Sequence, residues 1–402
     1  MDKRVCIVRQ NYFPAEAHLK KNVDALTDAG FRVDIVCLRE VGADARAEYR
    51  DGTIYRLPLT HRRGGTLRYL FEYGAFFVMA SLMLAYLSIR QRYDTVEVYN
   101  MPDFLVFAAL PAKLLGSKIV LYLFELMPEH SQEAFTRTPD HLLIRLMRWL
   151  ERRSVRFAHR VIVVSAFQDE LVTARSSPRV RPTVILNVPD EELFDRDALA
   201  DTVEPSETFR VITHGSLLRR YGIESLIRAV PYLRQEVPNI VVEILGEGEY
   251  RDTLEQLAAN LGVEDEVAFL DFVPIEEVPA IIAGADVGIV TIPIPWLLPN
   301  KLFEYVAMAT PVVAAASPSL TGIFDSESIA YFWPDDERDL ARRVVEIYED
   351  PERARTMATC AKQQFARCGW EKMKRRYIAV HESLLSSGSA EGISHSKTGS
   401  AV

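Results

Sequence analysis

Cysteine is scarce in this 402-residue chain, and what there is has no pattern. Cys6, Cys37, Cys360 and Cys368 lack metal-ligand spacing, and the first two fall in short apolar runs that read as core strands. A zinc cluster and a disulfide scaffold are therefore excluded, and reduced thiols in a cytosolic protein are expected. The first apolar run, Val5–Val8, is too short for a signal-peptide core. No Gly-x-Gly-x-x-Gly follows it; the chain runs instead into Asn11-Tyr12-Phe13-Pro14, which argues against a dehydrogenase. No carboxylate pair stands at the ends of the expected strands, which argues against a two-carboxylate hydrolase. Asp195-Arg196-Asp197 has a metal-binding look but lies in a polar stretch away from any strand end, so no metal is expected.

Apolar runs without charge are also few. One, Tyr73–Ile89 between Glu72 and Arg90, falls below the ~20 residues that cross hydrocarbon and is diluted by Gly74, Ser81 and Ser88. A buried or interface-lying helix is expected there rather than a span. The net charge of −9 hides an asymmetry: residues 1–190 hold 27 basic and 21 acidic side chains, a balance of +6, and the rest carries −15. A basic half on an acidic protein points to an anionic surface or ligand. Part of the excess recurs at helical spacing, with Arg145, Arg148, Arg152, Arg156 and Arg160 opposite Leu143, Met147 and Leu150. That pattern fits either a solvated face or contact with anionic lipid. Nothing points to nucleic acid.

What the chain has in quantity is alternation. Arg4–Val8, Arg32–Cys37, Thr95–Tyr99, Lys118–Leu123 and Arg160–Val164 read as strands, with helical patterns between most of them. An acidic stretch at 191–209 reads as a linker, after which the rhythm restarts. Strands are expected at Arg210–Thr213, Ile240–Leu245, Val267–Leu270 and Val287–Thr291, and helices at Glu224–Gln235, Arg251–Leu261, Ile275–Ala283, Asp335–Glu349 and Pro351–Ala366. The expected fold is α/β, with two Rossmann-like doubly wound parallel sheets, one over residues 1–190 and one over 210–370. Ligands of such folds bind at the carboxyl ends of the strands, here expected in a cleft between the domains. The Ser- and Gly-rich tail, 386–402, is expected to be disordered.

Three strand-to-helix loops of the second half carry the chemistry. His214-Gly215-Ser216-Leu217-Leu218-Arg219-Arg220-Tyr221-Gly222 brings a glycine and two arginines suited to phosphate. Gly246-Glu247-Gly248 follows the next strand. Pro299-Asn300-Lys301-Leu302-Phe303-Glu304-Tyr305 opens a helix with proline at its first position, and a helix N-terminus favours phosphate. Lys301 and Glu304, three residues apart, share one face. A cation for phosphate beside a carboxylate for sugar hydroxyls suits a nucleoside diphosphate.

These residues resemble a known family, the retaining GT-B glycosyltransferases of family four that build bacterial surface polysaccharides. The likeness rests on the three loops above, on Ala285-Asp286-Val287-Gly288-Ile289, and in the first half on Glu125-Leu126-Met127-Pro128-Glu129, Val161–Ser165 and Asn187. It implies a nucleotide-sugar donor, an acceptor that is a glycan or a polyprenyl-diphosphate-linked sugar, no cofactor or metal, and a last helix, 371–385, crossing back to the first domain. A site at the inner face of the plasma membrane follows from the basic half and the Tyr73–Ile89 run. Glu304 would hold the ribose hydroxyls. Lys301 with Asn300, Gly215, Ser216, Arg219 and Arg220 would neutralise the diphosphate, and the backbone at Gly246, Gly248, Phe272 and Val273 would cradle the base. Glu125 or Glu129 would orient acceptor or donor sugar, or merely cap a helix. Three departures stand out: Trp296 replaces the family's glutamate eight residues before Glu304, Phe124 replaces a histidine, and the first loop lacks its glycine pair. An epimerase on the same fold and a non-catalytic donor-binding subunit share these features.

Overall fold

The computed structural model describes residues 3–60, 66–134, 141–202 and 207–390. Contacts divide the chain into two compact units, Met1–Leu186 with Met373–Val402, and Asn187–Lys372. Fourteen strands are formed among the described residues: β1 (Lys3–Val8), β2 (Phe31–Leu38), β3 (Arg46–Tyr49), β4 (Gly52–Leu57), β5 (Thr95–Tyr99), β6 (Lys118–Leu123), β7 (Arg160–Val163) and β8 (Thr183–Val184) in the first unit, then β9 (Phe209–His214), β10 (Ile240–Leu245), β11 (Val267–Leu270), β12 (Val287–Val290), β13 (Val312–Ala315) and β14 (Ala330–Phe332) in the second.

In the first unit the strand order is β3-β4-β2-β1-β5-β6-β7-β8, parallel except for the β3–β4 hairpin at one edge. Strands β1, β5 and β6 are mostly buried and largely apolar, broken in β5 only by Glu97, as strands covered on both faces are. The hairpin departs from the all-parallel expectation. Arg46-Ala47-Glu48-Tyr49 carries no β-branched residue and alternates exposed with half-buried, the habit of an edge strand. The C-terminal helix, Trp370–Ala390, packs its later turns on this sheet. There Tyr377 Oη donates to Glu97 Oε1 (2.9 Å), His381 Nε2 meets Glu97 Oε2 (2.8 Å) and Thr95 Oγ1 meets His381 Nδ1 (2.9 Å), all fully buried. That helix continues five residues beyond the expected start of the tail; residues 391–402 lie outside the described set.

The second sheet is wholly parallel, in the order β11-β10-β9-β12-β13-β14. The chain starts at β9 in the middle, winds one way to β11, then returns to β12 and winds the other way. The loops after β9 and β12 consequently diverge, leaving the carboxyl ends of these neighbours open to a ligand. The expected linker is not a free tether. Arg196 bonds the carbonyls of Met308 and Ala283, and Asp195 Oδ1 accepts from the Asp197 amide at 2.9 Å, so the segment is part of the second unit.

Candidate active site

At the mouth of the second sheet, the helix Asn300–Ala307 begins after Pro299, which caps it rather than forming its first turn. Every residue from Lys301 through Ala307 is buried, an unusual fate for a lysine and a glutamate. The reason is spacing: positions 301 and 304–305 of this helix look back onto the end of β9. Lys301 Nζ donates to Thr213 Oγ1 at 3.3 Å. Glu304 Oε2 lies 2.5 Å from His214 Nε2, and Tyr305 Oη lies 2.9 Å from His214 Nδ1.

Burial lowers the Lys301 ammonium to about 8, with Glu304 partly opposing the shift. Its hydrogen-bond partner is the neutral Thr213, and Glu304 offsets the cost of burial only in part, so the site favours further negative charge. A bound phosphate would supply it.

Two glycines let the loops close over this point. Gly215, at φ +115°, passes beneath Lys301, and a β-carbon there would sit 3.9 Å from Nζ. Gly246, at φ +137°, presses on the same loop: a β-carbon would come within 2.1 Å of the Gly215 carbonyl. Gly215 N in turn donates to Leu245 O, and Leu217 N to Glu247 O, knitting the loops after β9 and β10 together. Gly215 and Lys301, expected on the diphosphate, and Glu304, expected on the ribose, therefore converge, with Gly246 and Gly248 packed behind them.

The other expected donor residues line the same sheet edge more loosely. Ser216 and Arg219 are exposed, and Arg220 stacks on the Tyr221 ring, 5.1 Å from its centroid. Phe272, 68% exposed, and Val273 sit in the loop after β11. Asn300 is tied to Asn187 (2.9 Å). Trp296 is half-buried in the loop after β12, whose Pro295 carbonyl accepts from Ser319 Oγ at 2.6 Å.

In the first unit the two candidate carboxylates part ways. Glu125 is partly exposed and meets His130 Nδ1 at 2.9 Å. Glu129 is buried with both oxygens engaged by the Arg175 guanidinium, which also grips Glu151. The geometry therefore gives Glu129 an architectural partner and leaves Glu125 as the accessible group. Phe124 lies against the His18 ring at 5.1 Å.

The sequence reading missed the roles of His214, Thr213 and Tyr305. A weak signal was present, since a histidine closing an apolar strand just before a glycine loop puts a polar group at a strand end.

A Rossmann-like sheet with a cation, glycine loops and a carboxylate at its switch point is the make-up of a nucleotide-binding domain. The profile of the glycosyl transferases group 1 matches residues 195–364, and that of the glycosyl transferase 4-like domain matches residues 15–187. The chain belongs to the glycosyltransferases of the GT-B fold. A GDP-mannose-dependent alpha-(1-6)-phosphatidylinositol monomannoside mannosyltransferase of Mycolicibacterium smegmatis is 44% identical over 77 residues, which is 19% of this chain and 20% of that one. The chain thus spans about a fifth of the length of the curated relatives it matches first. Among solved structures, sucrose-phosphate synthase of Thermosynechococcus elongatus superposes with a TM-score of 0.80 at 20% identity, over 96% of this chain and 100% of that one. Anabaena Alr3699/HepE, in complex with UDP-glucose, gives 0.66 at 18%, over 96% and 99%. At these identities the likeness is one of fold.

Proposed function

We propose that this protein transfers a sugar from a nucleoside-diphosphate donor to a glycan or lipid-linked acceptor, with retention of anomeric configuration, in the synthesis of surface polysaccharide or glycolipid. The observation that carries the reading is the convergence of Lys301, Gly215 and Glu304 at the β9–β12 switch point. A nucleoside diphosphate leaves well once its charge is held. Lys301 and the β9 loop, with an arginine from Arg219-Arg220, would hold that charge before the bond breaks, the largest electrostatic contribution such a site offers. Glu304 would take the ribose hydroxyls and Phe272 the base. Glu125 would orient the incoming hydroxyl on the leaving-group face. The UDP-glucose in Alr3699/HepE and the GDP-mannose dependence of the mycobacterial relative support a nucleotide sugar without choosing the base. Thermal shift against UDP-, GDP- and ADP-sugars should reveal the donor, because a ligand that binds only the folded state raises Tm by mass action. Transfer from that donor, with the anomer read by NMR, tests the chemistry. Equal transfer by wild type and Glu304→Ala would remove Glu304 from the site.

A place on an anionic membrane belongs to the same proposal. The helix Leu142–Phe157 buries Ile144, Glu151, Ser154 and Val155 and leaves Leu143, Met147 and Leu150 half-buried beside them. Its outer face mixes Leu142 (78% exposed), Leu146 and Trp149 (48%) with Arg145, Arg152, Arg153 and Arg156. Leucine and tryptophan among arginines is the composition of a face that enters headgroups. The helix Thr66–Arg90 adds a second exposed stripe, Val78, Leu82, Tyr86 and Ile89. Although its Phe71–Arg90 stretch is long enough to cross a membrane, about a third of it is buried inside the first unit. Phosphatidylglycerol-containing vesicles are expected to sediment the protein at low salt and release it at high salt. Trp149→Glu should weaken that binding about tenfold or more, and retention on neutral vesicles alone would contradict the electrostatic part.

A further inference from the structure

We infer that His214 is a positioning residue that fixes Glu304 for the donor ribose, with Tyr305 setting its tautomer; this rests on the donor site proposed above. Glu304 leaves a helix that offers it several rotamers, and a carboxylate accepts from a sugar hydroxyl only if an oxygen with a free lone pair faces it. His214 Nε2, 2.5 Å from Oε2, removes that freedom and leaves Oε1 to a ligand. A neutral imidazole donates from one nitrogen only, so the carboxylate contact requires the proton on Nε2. Tyr305 imposes this. Its hydroxyl is fully buried, 2.9 Å from Nδ1 and 3.4 Å from the Ile212 carbonyl, so it donates to the nearer Nδ1 and the ring proton stays on Nε2.

The tyrosine in turn is locked by packing. Its ring meets His214 edge-on at 5.1 Å and fills the space beside Gly288 of β12, where a β-carbon would lie 2.5 Å from the ring. The glycine of the apolar strand Val287-Gly288-Ile289-Val290 is thus what admits the ring that holds the histidine. The chain runs β12 glycine, Tyr305, His214, Glu304, and only the last meets the donor. Lys301 stands outside this chain, on Thr213. The diphosphate and ribose contacts are therefore separable by mutation.

That separability defines the test. Affinities of UDP, 2′-deoxy-UDP and UMP, and of the guanosine set, are measured by titration calorimetry on wild type, His214→Leu, His214→Gln and Tyr305→Phe. Wild type should prefer the ribose over the deoxyribose form. In His214→Leu that preference should collapse about tenfold, the scale of a hydrogen bond involving a charged group. The ratio of diphosphate to monophosphate affinity should stay as in wild type, because Lys301 is untouched. His214→Gln, whose amide donates from nearly the same point, should restore most of the preference, and Tyr305→Phe should lose part of it. In a Glu304→Ala background His214→Leu should have no further effect on the ratio. Retention of the ribose preference by His214→Leu, with wild type showing one, overturns the role of His214 alone. A loss of diphosphate and ribose contacts together in every variant overturns it too, marking a merely structural histidine. Absence of any ribose preference in wild type overturns the placement of Glu304, and this inference with it.

Discussion

Replacing Lys301 with methionine is expected to weaken nucleoside-diphosphate binding by roughly a hundredfold and, at pH 7, to make the ligand-free protein more stable. The two effects share one cause. Burial holds this ammonium at about 8 in the folded protein, against an ordinary value of 10.5. Between those values the unfolded chain carries the proton and the folded one does not, so stability rises with pH across that window. Below 8 both states are charged, and the folded state bears the whole cost of the buried charge, about 3 kcal/mol. Methionine fills the same space without it, as hydrophobic replacements of buried ions often do. The donor reverses the balance by placing phosphate oxygens beside the ammonium. Removing one partner of such a desolvated pair costs about 2–5 kcal/mol, which sets the hundredfold scale. Wild-type affinity should also fall as pH rises above 8, approaching tenfold per unit, since the free lysine must then take up a proton to bind. Lys301→Met should be flat over the same range. Denaturant melts at pH 7 and pH 10, with calorimetric Kd values for the diphosphate at both, check every arm. A variant that is less stable at pH 7 would show that Lys301 is a structural cation.

How much of this was legible in the sequence depends on the range of each interaction. Strands buried on both faces, such as β5, β6 and β10, were readable to the residue, because largely apolar, β-branched runs bounded by turns report their own burial even where Glu97 or Glu243 interrupts them. The start of the Pro299 helix was readable to within one residue, since its lysine and its glutamate lie within one turn, although Pro299 caps the helix rather than opening it. The β3–β4 hairpin was not, because an edge strand half in solvent has no apolar period to show. Nor was the path of the linker, which Arg196 fixes through carbonyls 87 and 112 residues away. Local spacing placed Lys301 and Glu304 on one face, but nothing within a turn of them announced His214, 90 residues earlier. The same blindness made Glu129 look like an equal of Glu125.

Arg175→Met is the variant expected to damage the first unit most, by about 3–5 kcal/mol, and the loss should depend on pH. Arg175 is forked between Glu129 and Glu151, and Glu151, 1% exposed, also accepts from Ser176 Oγ at 2.6 Å. Removing the guanidinium leaves two buried carboxylates without their cation, a far larger loss than the net worth of the pairs. Asp103 already shows what an uncompensated carboxyl does there. Although Asn100 Nδ2 donates to it at 2.9 Å, burial and then Glu151 raise it to about 7. From about pH 4 to 7 the folded state keeps that proton while the unfolded state releases it, so this group lowers stability as pH rises. Without Arg175, Glu129 and Glu151 should join that behaviour. Urea melts should then show the variant's deficit largest at pH 8 and narrower at pH 5, where the stranded carboxylates take up protons. Asp103→Asn, which cannot ionise, should be more stable than wild type at pH 8 and lose that advantage by pH 4. For the reaction, Glu129→Gln should lower Tm while leaving kcat for sugar transfer within about twofold, and Glu125→Gln should do the reverse. A Glu129→Gln protein that melts like wild type but transfers poorly would return Glu129 to the active site.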